Sequence, residues 1–169
     1  MSENQKKVLI TGCAGGIGRA CVELFAGKGW FVFGVDKNEF GEGFPKNGLF
    51  LCADISNPEE YEALFQQIKA MTLSLDAVVS NAALQVSKPL VETSVEDWDR
   101  TIATNLRPAF LITKYAHPLL VKAGCSAIVC VSSVHAIQTS VNISAYAASK
   151  GGLLALTRAM AIEFAPDNI

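Results

Sequence analysis

The chain has 169 residues, of which 50% are hydrophobic and 18% charged, with a formal net charge of −2. That length corresponds to one domain with room for a sizeable core, and the composition excludes a disordered or fibrous chain. Basic residues are scattered, with no lysine run beyond Lys6-Lys7, and no apolar stretch reaches bilayer length, so nucleic-acid and membrane partners are both set aside.

In chain order, the polar start MSENQKK lacks a signal-peptide core, which places the protein in the cytoplasm by expectation. KVLIT (7–11) reads as a first strand, and the helical periodicity from Ile17 ends at Gly29. WFVFGVD (30–36) and GLFLCAD (48–54) are the second and third strands. SNPEEYEALFQQIKAM (56–71) carries helix-start signals, with Ser56 three residues before Glu59 and Pro58 in the first turn. LDAVVSN (75–81) gives a fourth strand. A helix over 94–124 follows, starting with Ser94 three residues before Asp97 and bent at Pro108 and Pro118. SAIVCVSS (126–133) is the fifth strand, and the run after Ala145 is a helix to about 165.

Near-continuous apolar strands alternating with helices imply an α/β fold, a doubly wound parallel sheet covered on both faces. Five strands are visible where the dinucleotide-binding version of this architecture has six or more. The five cysteines, Cys13, Cys21, Cys52, Cys125 and Cys130, are odd in number and lack CxxC spacing. They argue against a disulfide framework and a zinc site, and no metal is expected. Cys13 reads either as buried filler or as a thiol activated by a helix N-terminus.

Two motifs carry chemistry. TGCAGGIG (11–18) sits between the first strand and the first helix, the context that makes a glycine pattern informative. Gly12 permits the tight turn, Gly16 allows backbone to approach a pyrophosphate, and Gly18 allows close packing of the helix, whose amides and positive dipole end face the phosphates. Asp36 closes the second strand, where a carboxylate bonds an adenosine ribose and repels a 2′-phosphate, favouring NAD over NADP. Lys37 beside it softens that preference if it pairs with phosphate. Asp54 reads equally as an adenine contact or a plain loop residue. The second motif, SAYAASKGG (144–152), sets Tyr146 and Lys150 one helical turn apart on a shared face. A buried ammonium beside a phenol favours the phenolate, the makings of a general acid/base.

With TGCAGGIG, SNAA, SSV and YAASK in this order, the chain resembles the short-chain dehydrogenase/reductase family, NAD(P)-dependent oxidoreductases of Rossmann fold. The resemblance covers 1–169 as one cofactor-binding domain and implies that the sixth and seventh strands, with the segment shaping the substrate pocket, lie beyond it. It implies an alcohol or ketone as substrate and NAD as cofactor. Tyr146 would be the acid/base, Lys150 its partner and a bond to the nicotinamide ribose, and Ser133 the serine that orients the substrate oxygen. Ser132 is the poorer choice for that role because side chains alternate along a strand. Asn105 would hold a water in a proton relay. Ile17, Ile55, Asn81 and Ala82 would touch cofactor together with the glycines, Asp36 and Asp54; the family's Asn-Ala-Gly reads Asn81-Ala82-Ala83 here. His135 and Gln138 follow Ser133 on a loop that faces either substrate or solvent. The helices at 95–123 and 145–165 would form a homodimer or homotetramer. An alternative reading is a truncated domain that binds NAD or dimerises without turnover.

Overall fold

Strands covered on both faces bury successive side chains rather than alternate ones, and all five residues of β1 (Lys7–Thr11) are buried. The computed structural model describes residues 5–41 and 43–169. It joins β1 to β2 (Phe31–Asp36), β3 (Gly48–Cys52), β4 (Ala77–Ser80) and β5 (Ala127–Cys130). The sheet has the order β3-β2-β1-β4-β5, and every pairing is parallel. The chain leaves β1 outward in one direction through β2 and β3, then returns to β1's other side with β4. The crevice at such a reversal, outside the carboxyl ends of the strands, is where ligands bind in open α/β sheets.

The helices are α1 (Gly16–Gly27), α2 (Glu60–Met71), α3 (Val95–Asn105), α4 (Arg107–Lys122) and α5 (Ser144–Glu163). Leu9, Phe33, Val35 and Val78 face α2 and α4, meeting Phe65, Ile68, Ile112 and Leu120 in one core. Their neighbours Val8, Ile10, Val32 and Val79 point the other way and pack with Val22 of α1 and with Phe40. Phe33 and Phe65 are essentially fully buried, and each stabilises the fold by about 1.5–3 kcal/mol through leaving water.

Three local expectations are corrected. The single bent helix over 94–124 is two helices. Ser94 does cap α3, accepting from Asp97 N at 3.1 Å, but the helix breaks at Leu106 (φ −114°, ψ −54°). Pro108 has no N–H for the carbonyl of Thr104, and Ala109 N turns to Leu106 O at 3.2 Å. Pro118 stays inside α4, where Ala116, Leu119 and Leu120 on either side are buried against the sheet and offset the lost bond. Ser56 is not the cap of α2. Its hydroxyl and amide both donate to Asp54 Oδ1, at 2.7 and 2.9 Å, while Glu60 accepts from Asp54 N at 2.8 Å. That turn delays the helix to Glu60. β1 matches its apolar run, whereas β2 to β5 are shorter than theirs, most visibly β5 (Ala127–Cys130), although the Val131 amide beyond it still donates to Ser80 O at 2.9 Å.

Candidate active site

The glycine turn is shaped by contact. Gly12 has φ +64°, and a Cβ there would lie 2.7 Å from Ala82 Cα. At Gly18 a Cβ would lie 2.0 Å from Gly12 O, whereas at Gly16 it would meet nothing within 4 Å. Gly18 therefore lets α1 sit on the turn, and Gly16 leaves bare backbone toward the crevice. The N-cap of α1 is Gly15, without a side-chain cap or an acidic residue in the first turn. Its first amides and positive dipole end are left for a ligand. Asn81 ties β4 to this turn, donating from Nδ2 to Thr11 O and Gly12 O, both at 3.1 Å, while its own amide donates to Thr11 Oγ1 at 3.0 Å.

Asp36 braces the opposite wall, accepting from Ala14 N and Asn38 N, each at 3.0 Å. Each carboxylate oxygen keeps further acceptor capacity. Lys37 leans toward Asp54, with Nζ 3.8 Å from Oδ2. Burial works to raise the Asp54 carboxyl, but the two Ser56 hydrogen bonds and Lys37 outweigh it and hold the group below the usual carboxylate range. Between these walls lies a cleft of about 480 Å³, lined by Gly12, Gly16, Ile17, Asp36, Asp54, Ile55, Asn81 and Ala82 among others. Gly18 is not on its surface, consistent with its packing contact. Cys13 is fully buried, and burial, with Asp36 nearby, pushes its thiol up to about 12. It is filler of the core.

A second group of side chains gathers where β5 meets α5. Lys150 is 2% exposed and donates from Nζ to Val131 O at 2.7 Å. Its Nζ stands 5.7 Å from the centre of the Tyr146 ring. Burial lowers the Lys150 pKa from its ordinary value, opposed in part by the Cys130 thiol. Ser132 Oγ donates back to Lys150 O at 3.2 Å, so it is spent on packing. Ser133 points elsewhere and caps the 3₁₀ turn Val134–Ala136, accepting from His135 N at 3.3 Å. Asn105 is buried, and its side chain is a clamp. Oδ1 accepts from Leu84 N at 2.7 Å, and Nδ2 donates to Leu84 O at 2.8 Å and to Ser149 Oγ at 3.0 Å. The break at Leu106 turns the Ala109 amide away from the carbonyl of Asn105.

A family model described as short chain dehydrogenase matches residues 6–169. This chain belongs to that family. It is 37% identical over 175 residues to a tropinone reductase homolog from Arabidopsis thaliana, covering 97% of this chain and 65% of the relative. It is 36% identical over 174 residues to a cyclopentanol dehydrogenase from Comamonas, covering 98% and 70%. Among solved structures, 4-hydroxyisoleucine dehydrogenase complexed with NADH superposes with a TM-score of 0.90 at 29% identity, covering 98% of this chain and 72% of that one. The chain thus spans about two thirds of the length of these proteins.

As a short-chain dehydrogenase domain, the chain shows further cleft residues that sequence reasoning passed over. Asn38, Ala83 and Thr104 also line the cleft. Asn38 lies two residues beyond the acid that ends β2, and Ala83 is the last residue of the SNAA motif, where the family's Asn-Ala-Gly has glycine. Thr104, in the last turn of α3, had no signal of its own. Among the described residues no helix is long and apolar enough to cross a membrane, and no cluster of His, Cys, Asp or Glu is suited to a metal ion.

Proposed function

We propose that this chain carries the cofactor and proton-transfer site of an NAD-dependent oxidoreductase that interconverts an alcohol and a carbonyl. The observation that carries the reading is the cleft itself, with the open Gly16 backbone and uncapped α1 amides on one wall and the Asp36 carboxylate on the other. These groups fit a dinucleotide. The α1 amides meet a pyrophosphate, and Asp36 accepts from ribose hydroxyls and repels a 2′-phosphate. Lys37 pairs only loosely with Asp54, its Nζ 3.8 Å from Oδ2 on the exposed rim. When bound, the nicotinamide supplies the two-electron chemistry.

The chain's own residues handle the proton and the substrate oxygen. Tyr146 Oη exchanges a proton with that oxygen, and Ser133 Oγ, already accepting from His135 N, donates to it and fixes its orientation. The Lys150 ammonium, anchored on Val131 O, places positive charge beside the phenol and stabilises the phenolate that forms. The Asn105 carbonyl, freed by the break at Leu106, holds a water on the path along which the proton returns to solvent. The assembly would be a homodimer or homotetramer through α3, α4 and α5, supported by the exposure of Phe110 (51%) and Ile162 (78%).

Titration of the purified chain with NADH and with NADPH, followed by cofactor fluorescence and melting temperature, tests the cofactor reading. Saturable, stabilising NADH binding with weaker NADPH binding is expected; equal affinities would overturn the role given to Asp36. Oxidation of secondary alcohols with NAD then tests turnover, and binding without turnover would identify a nucleotide-binding domain instead.

A further inference from the structure

We propose that His135 is a specificity-determining residue of this site, hydrogen-bonding a second substrate oxygen on the carbon next to the one that reacts. The inference rests on the oxidoreductase reading and adds the substrate class: vicinal diols and α-hydroxy ketones, in preference to alcohols with a single oxygen.

His135 is built into the reacting end of the site. Its amide is the group that donates to Ser133 Oγ, and its ring stands edge-on to Tyr146, with centroids 6.1 Å apart and planes at 75°. One ring edge is closed: Nδ1 is buried and has no hydrogen-bond partner among the described residues. Buried polar atoms are nearly always paired, so an unpaired one calls for a reason. Packing does not supply it. A phenylalanine would make the same edge-on contact with Tyr146 without burying an unmet nitrogen, so shape alone gives no account of an imidazole here.

The other ring nitrogen gives that account. Nε2 is not among the enclosed, unpaired atoms, and it is the polar group the ring has left to offer. A hydroxyl both donates and accepts, so it can meet Nε2 in either tautomer. A substrate oxygen held by Tyr146 and Ser133 has its vicinal neighbour displaced by about one hydrogen-bond length, ~2.8 Å. We place that neighbour beside the imidazole, whose centroid is 6.1 Å from that of the phenol.

The test uses the ¹⁵N-labelled full chain, titrated with trans-1,2-cyclohexanediol and, separately, with cyclohexanol, each with and without NADH. Saturable movement of the His135 ring nitrogens with the diol and not with cyclohexanol is expected. His135→Phe should weaken diol binding roughly tenfold more than it weakens cyclohexanol binding, the scale of one neutral hydrogen bond, and His135→Asn should recover part of that difference. Ring resonances that ignore the diol, or an equal loss for both alcohols in His135→Phe, would overturn the assignment and leave the residue a packing support for Tyr146. Failure of the parent reading is seen separately, as absence of NADH binding or of turnover with either alcohol.

Discussion

At the residue scale Lys150 is a cation with 2% exposure. Its lowered pKa has a definite sign in stability. The charged form is disfavoured in the folded chain, so between the folded pKa and the ordinary lysine value of 10.5 the unfolded chain binds more protons, and stability rises with pH through that window. Lys150→Met should therefore raise the melting temperature near neutrality by ~2–4 °C, as when a functional site is traded for stability. The gap to the parent chain should narrow as pH approaches 10.5. Thermal scans of both proteins across this range check it, and a gap that widens would contradict the burial account. Tyr146 differs in kind, since its task is proton exchange. Tyr146→Phe is expected to lower any turnover by at least ~10²-fold while leaving NADH affinity within about twofold. Parallel loss of binding and turnover would show that the phenol holds cofactor rather than moving a proton.

At the scale of elements, the turn between β1 and α1 separates two uses of glycine. Gly18→Ala forces a methyl to 2.0 Å from a backbone oxygen, which should cost about 3 kcal/mol and lower the melting temperature by roughly 6–12 °C. Gly16→Ala meets no protein atom. It should leave stability unchanged or slightly raised, because alanine suits a helix better than glycine, yet weaken NADH binding at least ~10-fold by placing a methyl where phosphate approaches. Differential scanning and cofactor titration of the two variants separate the roles. The reverse pattern would exchange them.

At the scale of the whole molecule, α4 and α5 leave an apolar groove of about 340 Å³ containing Phe110, Leu156 and Phe164. Beside it Phe110 and Ile162 stand in solvent. Patches of this kind mark association surfaces. If the proposed assembly uses this face, Phe110→Glu should shift the sedimentation-equilibrium mass toward the monomer while leaving NADH binding intact. An unchanged mass would move the interface elsewhere.

The sequence by itself determined the strand and helix order, the parallel sheet and about half of the cleft wall. Period, glycine spacing and the acid at the end of β2 are local signals, and each reports a backbone or chemical requirement at its own position. TGCAGGIG could be assigned glycine by glycine because each constraint there is steric and short in range. Tertiary structure alone decided what depended on partners distant in the chain. Ser56 looked like a helix cap until Asp54 claimed it, and the 94–124 run looked continuous where the chain breaks at Leu106. Asn105 was legible as a polar helix residue, but its clamp spans 21 residues to Leu84 and 44 to Ser149. The closed Nδ1 of His135 was not legible in the chain. Enclosure of a single atom is a property of the packed site, and no spacing in the chain encodes it.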